Sequence, residues 1–528
     1  MPINKFRIII WAVLVGSQFS LRAQQTPLDT SAVLANYAYF LKYHAAWKNS
    51  GNAAGLIKDS LLNFGKTVAS YQQIDGPYKL SQQAQKVQQL RFDAERYLYL
   101  GKTLFYGRFG YAQQWEKAVS MNDVMDPYRG TPYLLADSIG GDWKKQLYTL
   151  EVKASSPALF NQKIHVGLSA ALDVGTGSRQ NDPRPLTTNN QIKVMPALVW
   201  NLAKQNALGI NLLYQRYRED VSLETKNTNI NHHLYKFLGL GQLELPTTFT
   251  TSTSRVYEGN SWGGNLQYQL KRDHLNWLTE LGYRSGTEKV LEGSSLPRKS
   301  GTWKQKAYTL SSTFLLQQAA LQHLIAIKLS RLEDTGVEFH EFYNTSTKTW
   351  QTLLEADFYL AQTDQVQLSY AIIKPQSTLE MNWLAELGIN YLSLSKNYLI
   401  PVSSQEISNA ELWIKGLKNF SISKGSRLMA GIKAGYGKNL SQSLNYLPIT
   451  ADRTLAAKEV LYPDHGYLST DYLSLSAQAQ YNFKLKNVPG TQFFAQINYS
   501  NVHSLTVPLY GTAQGHRNFI NLSLGAFY

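Results

Sequence analysis

Leu473-Ser474-Leu475-Ser476-Ala477-Gln478-Ala479-Gln480-Tyr481-Asn482-Phe483-Lys484-Leu485 decides the fold. Odd positions are apolar or aromatic, and even positions are polar. An extended strand sends residues i and i+2 to the same face. A helix would spread both sets around its circumference, so a helix is excluded here. The same alternation runs through Phe493, Ala495, Ile497 and Tyr499, through Leu428, Ala430, Ile432, Ala434 and Tyr436, through Ile164, Val166, Leu168, Ala170 and Leu172, and through Trp383, Ala385, Leu387, Ile389 and Tyr391.

The connectors sort by length. Short polar turns are expected at 203–206, 271–274, 317–320, 421–425 and 486–490. Long connections rich in Gly, Ser, Thr and Asn are expected at 116–143, 174–190, 222–260, 290–302, 334–349 and 439–468. Alternating short and long connectors mark up-and-down strands with turns at one end and loops at the other. The fold expected is all-β: a transmembrane up-and-down antiparallel β-barrel with long extracellular loops and short periplasmic turns. An even strand number is the rule for such barrels, which gives about 18, with roughly 16–20 allowed. The parity of the count fails by one around 362–408. Pro196 inside a strand pattern implies a bulge or local break.

Composition agrees. The mean hydropathy of −0.30 reads as soluble, but a barrel gives the same value because lumen and loops dilute its lipid face. The 33 Tyr and 11 Trp suit interfacial girdles. With no Cys among 528 residues, a disulfide scaffold, thiolate metal sites, a cysteine nucleophile and a lipoprotein anchor are all excluded. Residues 1–23 read as a signal peptide: Lys5 and Arg7 precede an apolar run from Ile8 to Phe19, and Leu21-Arg22-Ala23 precedes a cut before Gln24. Removing Lys5, Arg7 and Arg22 lowers the net charge from +15 to +12. Scattered loop charge accounts for this excess, and anionic lipopolysaccharide or anionic solutes suit it. Nucleic acid is not expected as a partner of an exported chain. Residues 24–60 are expected as an N-terminal periplasmic segment, with Thr30–Trp47 a short helix or leader, and 61–528 as the barrel.

At Asp126-Pro127-Tyr128 and Pro132-Tyr133-Leu134-Leu135-Ala136-Asp137-Ser138-Ile139-Gly140-Gly141-Asp142 the sequence resembles an uncharacterised outer-membrane β-barrel family of Bacteroidota. That family is known chiefly as a domain of unknown function and is often encoded beside TonB-dependent receptors. The resemblance implies the barrel and the outer membrane of a Gram-negative cell. It transfers no catalytic or binding residue.

Charge on a lipid face costs about 2–4 kcal/mol at the midplane, so charged side chains within strands should point inward. The lumen-facing candidates are Arg91, Asp93, Glu95, His165, Asp173, Lys193, Glu280, Arg284, Lys328, Glu386, Lys433 and Lys484. They form either a selectivity-setting pore lining or a packed, salt-bridged interior. Ile520, Leu522, Leu524, Ala526 and Tyr528 share one face of the last strand and end on an aromatic residue, resembling the signal by which the barrel assembly machinery recognises its substrates. The Asn-Trp-Leu stretch at 276–282 is echoed at 382–388. Asp123, Asp126, Asp137 and Asp142 lie in a glycine-containing loop, but their spacing matches no defined calcium loop, and turn chemistry explains them equally well. His232-His233 alone is a poor metal site. No cofactor, metal or nucleophile is marked, and an enzyme is not expected. Alternation begins near Leu62, too early to leave room for the globular plug of a TonB-dependent receptor. The function expected is a passive channel or a loop-mediated binding component in solute uptake, accessory to a TonB-dependent system. The alternatives are a structural or adhesive barrel with a plugged lumen, or a subunit of a larger outer-membrane assembly.

Overall fold

A computed structural model describes residues 34–528 apart from 60, 294–295, 378–379, 424, 509 and 511–512. The expected signal peptide and the first residues of the leader lie outside the described residues.

Eighteen strands pair in sequence order, every neighbour antiparallel, and the first closes on the last. Closure runs from Lys66↔Phe527 to Asp75↔Asn518. Past it, Tyr528 and Gly65 exchange backbone hydrogen bonds of 3.0 and 2.6 Å. The closed ring removes every free sheet edge and satisfies the backbone polar groups between strands. Strand Tyr472–Phe483 carries Leu473, Leu475 and Tyr481 on its exposed outer face and turns Gln480 and Asn482 inward, where they are buried. Ile432, Leu412, Ile414, Leu266 and Leu281 are likewise exposed on the outside.

The turns at one end are tight: residues 101–102, 202–205, 273–274 and 319–320. At the loop end the strands run on further than alternation indicates. The expected long connection at 174–190 is a four-residue turn at 180–183, between strands Ile164–Arg179 and Arg184–Asn201. The expected loop at 334–349 shrinks to 345–348, between strands Leu321–Asn344 and Thr349–Ser377 of 24 and 29 residues. About 9–11 tilted residues cross a bilayer. In the surplus period two breaks down: adjacent Leu353 and Leu354 are both exposed, and Val337 and Leu223 are buried on the cap side. The parity failure resolves into strands Glu380–Tyr398 and Ser403–Ser423. Met195 and Pro196 have no register partner on the neighbouring strand Asn206–Glu224, a local break in that ladder.

Both ends of the barrel are filled. At the turn end, helix Leu34–His44 and the 3₁₀ turn Ala53–Asp59 lie across the lumen. Leu34, Tyr37, Leu41, Leu56 and Leu61 pack on Tyr97, Leu104, Phe494 and Phe527 of the wall. The Trp47 indole is buried among Ala197, Val199, Ala207 and Leu278. At the loop end, connections 120–140, 225–251 and 446–471 fold inward over an apolar cluster containing Tyr133, Leu135, Leu234, Phe237, Leu243, Tyr257, Tyr398 and Leu461. Leu135–Ala136 pairs there with strand His232–Gly239. Tyr133 of the first connection and Tyr257 and Tyr398 of the wall strands therefore belong to the core of a cap.

Candidate functional site: the capped lumen

Strand geometry places the charged residues. In Lys86–Leu100, exposed Leu90 fixes the outer face, so Arg91, Asp93 and Glu95 lie on the inner one. Asp93 accepts from the guanidinium nitrogens of Arg91 and Arg108, each at 3.0 Å, and Glu95 accepts from the Tyr106 hydroxyl at 3.1 Å. The same parity puts His165, Asp173, Lys193, Glu280, Arg284, Lys328, Glu386 and Lys433 on the inner face. Lys484 follows the end of strand Tyr472–Phe483, in the turn at 484–491, with its stem against Gly425. It is not part of the strand wall.

These residues do not converge on one centre. His165 lies at the turn end, its ring 3.1 Å from the Ser156 carbonyl. Asp173 accepts from Thr149 at 2.9 Å and is exposed although it points inward. Lys328 and its register partner Gln367 are also inward and exposed. Exposure on the inner face means that the lumen between the caps has room for water. Arg284 donates to Gln305 at 2.6 Å beside a polar cavity of about 330 Å³ that also meets Asp126, Arg129, Tyr217 and Trp303 under the cap.

The two halves of the Asn-Trp-Leu echo lie near the starts of strands Leu275–Glu292 and Glu380–Tyr398, and each supplies a carboxylate toward the N-terminal segment, Glu280 directly and Glu386 through Lys415. Glu280 accepts the Gly51 N–H at 3.1 Å. Glu386 pairs with Lys415 at 3.1 Å, and Lys415 donates to the Tyr43 hydroxyl at 2.6 Å. Around the same ring, His44 meets Gln322 at 2.6 Å, Trp47 Nε1 donates to Gln269 at 2.8 Å, and Asn52 donates to Gln267 at 2.9 Å. Lys58 donates to Asn201 at 2.6 Å. Strands on several sides of the barrel thus offer polar side chains to the segment that crosses beneath them. Sequence reading names Glu280 and Glu386 as lumen-facing but misses Lys415, Gln322, Gln269, Gln267 and Asn201, because each looks like ordinary lumen polarity until the crossing chain is in place.

The cap is held by buried charge. Arg179, fully buried, donates to Asp123 at 3.1 Å, to Asp137, and to the Pro183 carbonyl at 2.6 Å. Arg129 forks onto Glu288 at 2.6 and 2.7 Å, with its guanidinium 4.7 Å from the Tyr217 ring centre. Burial opposes that charge, but the Glu288 carboxylate outweighs it and holds the Arg129 pKa above its usual range. Arg255 pairs with Glu292 and donates to the Leu134 carbonyl at 3.0 Å. Three of the four loop aspartates face cations: Asp123 and Asp137 face Arg179, and Asp142 takes Lys117 at 2.5 Å, while Asp126 accepts the Tyr128 N–H at 2.9 Å. Among the described residues no group of three metal-ligating side chains comes together.

The motif around Pro132–Asp142 therefore lies in the lid: Tyr133 covers Gly301, Leu135 and Ala136 pair with Tyr235 and Lys236, and Asp137 anchors Arg179. Residues 53–528 match the model of a family of unknown function, DUF6850. The chain belongs to that family. The DUF6850 match begins at the 3₁₀ turn, after helix Leu34–His44. No curated protein matches. Among solved structures, the FrpB iron transporter from Neisseria meningitidis is similar at 9% identity, covering 91% of this chain and 83% of its own, with a TM-score of 0.40. A FadL homologue from Pseudomonas aeruginosa shows 13% identity, coverage of 88% and 90%, and a TM-score of 0.30. The ferric preacinetobactin receptor BauA from Acinetobacter baumannii shows 8%, 88% and 80%, and 0.34. The closed antiparallel barrel rests on the strand pairing itself.

Proposed function

We propose that this DUF6850 protein resides in the outer membrane as a passive uptake component that is closed at rest, with its loops facing the exterior and its turns the periplasm. The observation that carries the reading is the solvent-accessible, polar lumen between two separate closures, with Asp173, Lys328 and Gln367 exposed inside it. A purely structural barrel has no need of water-filled space lined by charge. The segment 34–59 closes one end through apolar packing together with side-chain hydrogen bonds to the wall. Opening both ends would complete a path.

Planar-bilayer recording tests this. The intact protein should be nearly silent. Removal of residues 34–59 together with Arg179→Ala, which loosens both closures, should give resolved, repeatable current steps. A doubly opened barrel that inserts yet never conducts would overturn passage. It would leave the plugged structural barrel, which the large apolar core of the cap favours. The partnership proposed with a TonB-dependent receptor is tested by co-purification in mild detergent. Insertion through the barrel assembly machinery is proposed to use the outward face of Ile520, Leu522, Leu524, Ala526 and Tyr528. Of these, Leu522, Leu524 and Tyr528 are exposed.

A further inference from the structure

The turn end of the lumen contains a second cavity, of about 490 Å³, between helix Leu34–His44 and the wall. Lys42 of the helix and Lys415 and Lys433 of neighbouring strands line it, together with Glu386, Gln478 and Ser500. Three ammonium groups meet one carboxylate. That carboxylate is already committed to Lys415 at 3.1 Å. The next along the wall, Glu411, accepts from Asn390 at 2.8 Å. Lys433 lies over the Trp413 ring at 4.6 Å, and Lys42 lies 6.0 Å from the Tyr43 ring centre. Neither has a hydrogen-bond acceptor or an ion pair among the described residues. Burial first, then the Lys415 charge, lowers the pKa of Lys42, with Lys433 adding to the effect and Glu386 opposing it. The cations therefore feel one another in a confined space, where an anion lowers the energy of all three.

We propose that this cavity binds an oxyanion group, phosphate or sulfate, held by Lys42, Lys415 and Lys433. Ammonium groups bind such oxygens as point charges with several donors each, and the surrounding amides and hydroxyls complete the shell. Because Lys42 belongs to the segment that crosses the lumen while its two partners belong to the wall, the bound anion bridges closure and barrel and holds the turn end shut. The site deepens the uptake reading by assigning a ligand class, but binding does not require passage.

Isothermal titration of the full-length protein in detergent micelles tests it. The probes are inorganic phosphate, inorganic sulfate and glucose 6-phosphate, each at ionic strength matched with sodium chloride. Saturable binding is expected, weakened at least about tenfold by Lys433→Gln or Lys42→Gln, the worth of one charge-assisted hydrogen bond. Lys433→Arg should restore it, which separates lost binding from lost folding. Tighter binding of the sugar phosphate identifies a phosphorylated solute as the source, and tighter binding of inorganic phosphate or sulfate identifies the free ion. No heat beyond the chloride control, or affinity unchanged in both Gln variants, overturns the site. Silence in bilayers with binding intact would remove passage alone.

Discussion

Arg179 shows how much one side chain carries in this molecule. Two carboxylates, Asp123 and Asp137, are buried with it, and Asp137 also accepts the N–H groups of Ile139 and Gly140 at 2.7 and 2.9 Å. Removing one partner of a buried ion pair leaves uncompensated charge and costs about 3–5 kcal/mol. Arg179→Ala is therefore expected to loosen 120–140 by that order, read as faster proteolysis within this stretch while the barrel keeps its folded migration on gels. Adding Asp123→Asn and Asp137→Asn should recover part of the loss, because the stranded charges go with them. Unchanged proteolysis in Arg179→Ala would show that the apolar cluster alone closes the cap. The aspartates were visible in the sequence, but their partner was not. Arg179 lies 56 and 42 residues further on, and only the pairing of strands Gly141–Ser155 and Ile164–Arg179 brings it to them. At the barrel seam, Gly65 is as specific: a Cβ there would fall 2.3 Å from the Tyr528 ring.

At the scale of elements, the segment 34–61 is the part that sequence reading left least defined. A helix was expected near Thr30–Trp47, and one occurs at Leu34–His44. Its place inside the lumen could not be read, because its partners are scattered over strands hundreds of residues away. Trp47 is the anchor, 1% exposed, with its ring filling the space where Gly55 has no Cβ. Trp47→Ala should weaken docking by about 3–5 kcal/mol, measured as faster hydrogen exchange across 34–59 with the strand amides unaffected. The carboxylate that ties the segment to itself predicts a pH response. Asp59 accepts the N–H groups of Trp47 and Lys48 at 3.2 and 2.7 Å, but burial outweighs these bonds and pushes its pKa up from 3.8 to about 7. A carboxyl whose folded pKa is raised binds more protons folded than unfolded between those two values, so its contribution to stability is largest at low pH and is lost as pH rises through this window. Docking of 34–59 should weaken between pH 3.8 and about 7. Asp59→Asn should flatten that slope, and a slope of equal size in both proteins would assign the response to another group.

At the scale of the whole molecule, alternation made the barrel legible: in the proposed outer-membrane placement, two solvents of opposite character lie on the two sides of one sheet. The same cause limits the reading. Beyond the belt apolar residues no longer keep to the outer face, as adjacent exposed Leu353 and Leu354 and buried Leu223 show, so alternation marks the strands past Val174 and Asp334 as loops. The contents of the lumen were illegible because inward polarity looks the same whether it faces water or a crossing segment. Neighbouring positions on one strand test the two-solvent origin directly. Leu368 is exposed on the outer face between Ile327 and Ile389, while Gln367, one residue earlier, points inward beside Lys328 and is also exposed. In water alone the two positions would tolerate a cation equally well. In a bilayer, Leu368→Arg should cost about 2–4 kcal/mol, whereas Gln367→Arg should stay within about 0.5 kcal/mol, as an exposed substitution does. Reversible urea unfolding from lipid vesicles measures both. Equal costs for the two would mean that the apolar belt does not contact hydrocarbon, and the outer-membrane placement would lose its physical basis.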